Sequence, residues 1–210
     1  MPNLWKWKSR SVRRGIVSEM PRPVVLASAS PRRQELLRQL VPAFEIDRAG
    51  VDEAPFDGES PWQTAERLAR AKARVVLARN PDHLVVAGDT VVAIPTLGAH
   101  TQLAKPEDVK DAKDMLTKLS GREHLVTTGV CLLAAGAEET FSVTTRVTFR
   151  SLSDPEIEAY VATGEPMDKA GAYAIQGGAA GFVERCDGSL TNVIGFPVDE
   201  IAAALKRFQT

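Results

Sequence analysis

The sequence has few cysteines, and their positions exclude two common ways of stabilising a small protein. Its 210 residues include only 2 cysteines, Cys131 and Cys186, which lie far apart and show no CxxC spacing. A disulfide framework and a structural zinc site are therefore not expected. Two reduced thiols are typical of a cytoplasmic protein, and this is the location that we expect.

Long apolar runs and an excess of one charge are also missing. No run approaches the roughly 18 apolar residues that a membrane-spanning helix needs, so we expect no membrane association through a span. The formal net charge is only −1, which makes nucleic acid an unlikely partner for the chain as a whole. The content of 44% apolar and 25% charged residues is that of an ordinary globular protein.

Several catalytic signatures are absent as well. The chain has no GxxxxGK[ST] motif, which excludes a P-loop, and no GxSxG motif, which argues against covalent acyl chemistry. Its three histidines show no spacing suited to a metal. The "GGAAG" segment is only loosely similar to a dinucleotide-binding loop, and it does not open a helix after a strand.

The first nineteen residues differ from the rest of the chain. We interpret residues 1–19 as a basic leader that is disordered or not native, and Met20 would be a natural start. An arm that binds nucleic acid or membrane is the alternative. No apolar stretch follows the charges, so a signal peptide is not predicted. The basic and aromatic residues of this leader are Lys6, Lys8, Arg10, Arg13, Arg14, Trp5 and Trp7.

From residue 20 to 210 we predict one α/β domain. Strand-like and helical patterns alternate, with helices expected at 31–40, 61–79, about 107–119, 154–163 and near the C-terminus. "HLVVAGDTVVAI" indicates a central strand buried on both faces. Two β-rich segments joined at Gly136-Ala137 indicate a hairpin, and a strand-like piece follows the glycine-rich passage at 171–189. This order predicts a sheet that is partly parallel and partly antiparallel, in two lobes around a cleft.

The start of the first helix carries two arginines where acidic residues are preferred. Ser30 and Pro31 are a suitable N-cap and first helical residue. Arg32 and Arg33 fall in the first turn, where the helix dipole disfavours cations. One interpretation is that both point into solvent at a small cost. The alternative is that they bind a phosphate, whose oxygens suit both guanidinium groups and free backbone N–H groups.

An acidic residue interrupts the most apolar strand. Asp89 follows Gly88 within "VVAGDTVV", and a buried carboxylate must be paired or bind a cation. It could cap a local turn or pair with a lysine. The functional alternative is a metal ligand or a general base at the end of a strand, where α/β proteins bind their ligands.

Other polar residues complete this set. Lys72 lies on the predicted buried side of the 61–79 helix, and a lysine there needs a partner. Gln176 lies in a glycine-rich turn and could select a nucleobase through its amide, although a Gln facing solvent is equally common. The remaining candidates are Asp52, Glu53 and Lys105 in loops. Together with the arginines they fit a triphosphate held by cations, with a divalent ion between carboxylates and phosphates.

The chain resembles the Maf family of nucleotide pyrophosphatases from about Val24 to Leu205. The segments that carry the resemblance are "LASASPRRQELL", "VDE", "RLARAKA", "VVAGDTVV", "AKP" and "AYAIQGGAAGFVERCDGSLTNVIGFPVDEI". The resemblance implies a house-cleaning enzyme that splits a nucleoside triphosphate into the monophosphate and pyrophosphate. It also implies the Maf/inosine-triphosphatase-like α/β fold, a mixed sheet with flanking helices and a cleft between two lobes.

The same resemblance suggests roles for the candidate residues. Asp89 would be the proton acceptor, and Mg²⁺ or Mn²⁺ would be held by Glu53 and Asp89. A homodimer is also what the family suggests. The substrate would be bound by Ser30, Arg32, Arg33, Lys72, Lys105, Thr90 and Gln176.

Within the family, the substrate class follows three positions. Arg32, Thr90 and Gln176 match the branch that acts on dTTP, UTP and modified pyrimidine nucleotides, whereas the branch acting on 7-methyl-GTP has other residues there. Two alternatives stay open. The same hydrolysis could act on other triphosphates such as methylated purines, or the protein could be a nucleotide-binding regulator of cell division.

Overall fold

The computed structural model describes residues 20–209 of the chain. The predicted basic leader, residues 1–19, lies outside the described residues, so its interpretation stays a prediction. The described part contains seven strands in a single sheet and six α-helices, with three short 3₁₀ turns between Glu165 and Phe182. The strands are β1 (Val24–Leu26), β2 (Glu45–Ile46), β3 (Leu84–Thr96), β4 (Ala99–Leu103), β5 (Glu123–Ala134), β6 (Ala137–Phe149) and β7 (Val183–Asp187).

The helices agree with the predicted ones to within about two residues at their ends. Each of the first four follows a side chain suited to an N-cap, and α1, α2 and α4 begin with proline or have it at the second position. Their bounds are α1 (Pro31–Arg38), α2 (Pro61–Arg79), α3 (Val109–Leu119), α4 (Asp154–Val161), α5 (Leu190–Ile194) and α6 (Val198–Arg207). The prediction of a strand after the glycine-rich passage is wrong, because the segment there is the helix α5.

The sheet is mixed, as predicted, and it forks beside β3. Its order is β2-β1-β3-β5-β6-β7. Strand β1 is parallel to both of its neighbours, and from β3 through β5 and β6 to β7 each strand is antiparallel to the next. On the side of β3 opposite β5, β1 pairs with residues 84–86 and β4 pairs with residues 92–96. The edge of β3 between these two partners, residues 87–91, is therefore open on that side. We call this opening the fork.

Separate apolar clusters lie on the two sides of the fork. One cluster packs α1 and α6 against β1 and the first half of β3, and includes Leu26, Leu37 and Phe196. Another packs α3 and α4 against the second half of β3, and includes Leu116 and Phe149. Since each half of β3 has its own core, the predicted arrangement of two lobes around a cleft is confirmed.

Helix α2 crosses both β3 and β5 at close range. Gly129 of β5 makes this possible, because a Cβ atom there would lie 2.3 Å from the Ala65 carbonyl group. A capping box formed by Ser60 and Gln63 fixes the start of α2. The close approach brings Lys72, in the middle of the helix, against the fork.

The β5–β6 hairpin is present but turns one residue earlier than predicted. Ala134 pairs with Ala137, so the two residues of the turn are Ala135 and Gly136. Gly136 has a φ of 84°, a conformation that glycine adopts without steric cost. The prediction of Gly136-Ala137 as the turn is wrong because the strand pairing begins at Ala137.

A buried histidine should make the fold sensitive to acid. His124 is fully buried, and its Nε2 lies 2.8 Å from the hydroxyl of Tyr173. Burial lowers its pKa from the ordinary 6.5 to about 4. Between these values the unfolded chain binds more protons than the folded one, so stability should fall as the pH drops from about 6.5 towards 4, by a total of about 3 kcal/mol.

Urea unfolding between pH 7 and pH 4.5 tests this expectation. The variant His124→Gln keeps a neutral polar side chain but cannot take up the proton. Its free energy of unfolding should therefore depend less steeply on pH than that of the unmodified protein. Equal slopes for the two proteins would show that His124 does not carry the effect.

Candidate active site

The fork opens into a cavity of about 980 Å³. The residues that line it come from the β1–α1 turn, the loop before α2, α2 itself, β3, β4 and the glycine-rich passage. Every predicted site residue lies on its wall: Ser30, Arg32, Arg33, Glu53, Lys72, Asp89, Thr90, Lys105 and Gln176. The arginines after Ser30 and the carboxylate of Asp89 thus face one shared space.

Three charged groups form a cluster at the base of the cavity, and two of them are buried. The Nζ atom of Lys72 donates to Asp89 Oδ1 and to Glu53 Oε1, both at 2.6 Å. Lys72 and Asp89 are only 7% and 8% exposed. Asp89 is therefore paired with a lysine, one of the alternatives left open by the sequence, and this lysine also faces the ligand cavity.

Glu53 connects the two lysines of the site. Its Oε2 accepts a hydrogen bond of 2.8 Å from Lys105, while its Oε1 is held by Lys72. Burial alone would raise the pKa of Glu53, but the hydrogen bonds from Lys105 and Lys72 outweigh it and lower the pKa to about 2. Glu53 is thus ionised throughout the physiological range.

Arg33 is fixed by three neighbours. Its Nε donates to the carbonyl of Gly195 at 2.9 Å, Nη2 donates to Thr90 Oγ1 at 3.0 Å, and Nη1 donates to Ser28 Oγ at 3.4 Å. A guanidinium group has five N–H donors, so one N–H on each Nη remains for a ligand. Burial lowers the pKa of Arg33, against the opposing effect of Asp89 and Glu53, and the group remains a cation.

Arg32 and Gln176 are placed differently from Arg33. Both line the cavity, and neither side chain makes a hydrogen bond or an ion pair with the part of the chain that the structure describes. Ser30 caps α1 through a 3.5 Å hydrogen bond from the Arg33 backbone N–H, and the first turn holds no acidic residue. The helix N-terminus and both arginines therefore converge on a region suited to an anion.

Two functional candidates were missed from the sequence. Ser28, 8% exposed, accepts hydrogen bonds from Arg33 and from the backbone N–H of Ser30. Its position in the run "ASAS", directly after a buried strand, could have identified it as a site residue. Lys169 also lines the cavity and pairs with Asp168. It lies in an irregular segment with no periodicity, so no pattern of neighbouring residues marks it as a site residue.

Other possible sites are few in the described residues. Between residues 20 and 209 no cluster of three or more His, Cys, Asp or Glu side chains could hold a metal by itself. In the same range none of the helices combines the length and apolar content needed to cross a membrane. Cys131 and Cys186 are free and buried, and burial raises the pKa of both thiols.

Comparison with solved structures bears out the fold. The Staphylococcus aureus Ham1 protein superposes with a TM-score of 0.51, at 14% sequence identity, over 88% of this chain and 98% of that one. At this identity the likeness concerns the fold alone, and it agrees with the predicted α/β class.

Sequence comparisons identify the family. A protein of Myxococcus xanthus named dTTP/UTP pyrophosphatase is 53% identical over 88% of this chain and 91% of its own length. Proteins of the same name from Koribacter versatilis and Anaeromyxobacter dehalogenans are 47% and 50% identical, each over 88% of this chain and 93% of their own length. The family model described as Maf-like protein matches residues 23–208. With this match over most of its length, the chain belongs to the Maf-like protein family.

Proposed function

We propose that this protein hydrolyses dTTP, UTP and modified pyrimidine nucleotides to the monophosphate and pyrophosphate, as a house-cleaning enzyme of the nucleotide pool. The observation that carries the proposal is that one cavity joins the carboxylates of Asp89 and Glu53 to the cationic side chains of Arg32, Arg33, Lys72 and Lys105. The names of the relatives at 46–53% identity support the substrate class.

The cations provide the binding site for the triphosphate. Arg33 is held in place with two N–H groups left over, and Arg32 has no protein partner among the described residues. Lys72 and Lys105 lie on the other side, each in contact with Glu53. Fixed guanidinium and ammonium groups stabilise the negative charge on phosphate oxygens in the transition state.

Asp89 is the group best placed to accept a proton. Lys72 holds its Oδ1, and no described residue donates a hydrogen bond to its Oδ2. A water molecule at Oδ2 would attack phosphorus of the α–β anhydride. The new P–O bond forms as the anhydride bond breaks, pyrophosphate leaves, and the proton of the water passes to the carboxylate.

The residues fit a divalent cation as well. Mg²⁺ and Mn²⁺ sites in phosphate-processing proteins use one or two carboxylates and complete their coordination with substrate oxygens and water. Asp89 Oδ2 accepts no hydrogen bond from the described residues. Glu53 is ionised and belongs to the same cluster of charged side chains around Lys72. We propose that these two residues hold the ion, which when bound would neutralise charge on the triphosphate.

Gln176 is our candidate for selecting the base. It is exposed in the cavity wall, and its amide offers both a donor and an acceptor. The edges of uracil and thymine present a matching N–H and carbonyl oxygen. A cytoplasmic location and a homodimer remain predictions from the cysteine content and the family resemblance.

Pyrophosphate release from a panel of nucleotides tests the proposal. We expect dTTP and UTP to give the monophosphate and pyrophosphate in equal amounts, faster than CTP, GTP, ITP or 7-methyl-GTP, and we expect EDTA to abolish the release. Fastest turnover of a methylated purine would instead support the first alternative. Tight nucleotide binding without any pyrophosphate would support the regulator.

A further inference from the structure

The hydrogen bonds behind Arg33 form a chain whose direction is fixed at both ends. At one end the guanidinium of Arg33 can only donate, and it donates to Thr90 Oγ1 at 3.0 Å. At the other end the backbone carbonyl of Asn192 can only accept, and Thr128 Oγ1 donates to it at 3.0 Å. The two hydroxyls lie 3.0 Å apart between these ends. Since Thr128 has given its only proton to the carbonyl, Thr90 must donate to Thr128.

This direction limits what Thr90 can do. Its hydroxyl has a single proton, which is directed to Thr128, and it uses a lone pair to accept from Arg33. It therefore has no proton left to donate to a nucleobase unless the chain rearranges. In this arrangement Thr90 contributes to the site by holding the Arg33 guanidinium in position.

The far end of the chain is anchored in the sheet. Asn192 is fully buried, and its side chain makes three hydrogen bonds. Its Nδ2 donates to the Val126 carbonyl at 2.9 Å and to Thr145 Oγ1 at 3.0 Å, and its Oδ1 accepts from the Thr128 backbone N–H at 3.2 Å. Three residues further on, the Gly195 carbonyl accepts from Arg33 Nε. Gly195, directly after α5, thus contacts Arg33 itself, whereas Asn192 within α5 supports Arg33 through Thr128.

We propose that Thr128 and Asn192 are positioning residues for phosphate binding, which act through Thr90 to hold the Arg33 guanidinium towards the phosphate chain. The proposal rests on the proposed function, because it assumes a phosphate ligand in the cavity. It also implies that Thr90 affects all nucleotides alike, rather than selecting the pyrimidine by direct contact.

Binding of inorganic triphosphate, a probe without a base, tests this inference by calorimetry at a fixed Mg²⁺ concentration. Thr128→Val removes the hydroxyl at nearly constant volume and should weaken triphosphate binding by up to roughly tenfold, the upper end of the effect of one hydrogen bond between neutral groups. Thr128→Ser keeps the hydroxyl and should restore binding. Thr90→Val removes the acceptor itself and should weaken binding at least as much as Thr128→Val.

The neighbouring residue supplies a matched control. Thr127 is equally buried in β5, but its hydroxyl pairs with Thr144 at 2.9 Å instead of joining the chain to Arg33. Thr127→Val should therefore bind triphosphate as the unmodified protein does. Thermal unfolding of all three valine variants shows whether differences in binding come from loss of the fold.

The ratio of kcat/KM for dTTP to that for GTP separates positioning from base selection. If Thr128 and Thr90 act through Arg33, the valine variants should lower both values by the same factor and leave the ratio unchanged. The inference would be overturned if Thr128→Val bound triphosphate as tightly as Thr127→Val does. It would also be overturned if Thr128→Val changed the dTTP to GTP ratio while its triphosphate binding stayed the same. Failure of the proposed function looks different, because the unmodified protein would then release no pyrophosphate from any nucleotide.

Discussion

Asp89→Asn should lower kcat for pyrophosphate release from dTTP by roughly 10²–10⁴-fold, the usual contribution of a general base. The amide cannot accept the proton of the attacking water, although its oxygen can still accept the hydrogen bond from Lys72. Because the change removes one negative charge from the cavity that we propose binds the triphosphate, dTTP should still bind. Steady-state kinetics and a binding measurement at equal Mg²⁺ concentration check the two parts of this expectation.

Asp82→Asn is a suitable control for this variant. It makes the same chemical change at an exposed residue between α2 and β3, away from the cavity wall. Its kinetics should equal those of the unmodified protein. Full activity of Asp89→Asn on dTTP would show that another group accepts the proton.

Lys72→Met should cost both stability and activity. It leaves the carboxylates of Asp89 and Glu53 near each other without the ammonium group that contacts both at 2.6 Å. Removing one partner of a buried ion pair costs about 3–5 kcal/mol, and we expect the lower end because Glu53 is partly exposed. Urea unfolding at pH 7 measures the loss, and pyrophosphate release from dTTP should fall steeply at the same time.

The pH dependence of this loss follows from the carboxylates. In the unmodified protein the lysine hydrogen bonds outweigh burial and lower the pKa of Glu53 to about 2. Their stabilisation is complete above the ordinary glutamate pKa of about 4.3, and it is lost as the pH falls towards 2. The difference in stability between the two proteins should thus be largest at neutral pH and shrink below pH ~4.

Arg70→Met is the matched control on the same helix. Arg70 also pairs with a glutamate, Glu138 at 2.6 Å, but this pair is exposed and lies outside the cavity. Its loss should cost less than ~1 kcal/mol. An equally small cost for Lys72→Met would show that the buried cluster does not stabilise the fold.

The sequence singles out four of the candidate residues because each of them breaks a local rule. Asp89 interrupts a strand that is otherwise apolar, Lys72 lies on the buried side of an amphipathic helix, and Arg32 and Arg33 occupy a helix start that favours acids. Such exceptions are visible without the fold. The structure places all four on the wall of one cavity.

Contacts between distant segments could not be predicted in the same way. Lys72 contacts Glu53 and Asp89, which come from a loop and a strand on either side of it in the chain. The α5 segment "LTNVI" is rich in β-branched residues and favours a strand locally. It is helical because Ser189 caps it and Asn192 is tied to β5 and β6. Strand β4 was missed for a similar reason, since its residues are mostly exposed and it depends on pairing with β3.

The contacts of Glu53 have a consequence for any anion that enters the cavity. Lys72 and Lys105 both already donate to this one carboxylate, so an incoming phosphate must compete with it for them. A ligand with a single negative charge gains little from that exchange, whereas a chain of several phosphates can displace the carboxylate and still engage the arginines. If the cavity binds a triphosphate as we propose, Glu53 would act as an internal competitor that favours ligands with several negative charges.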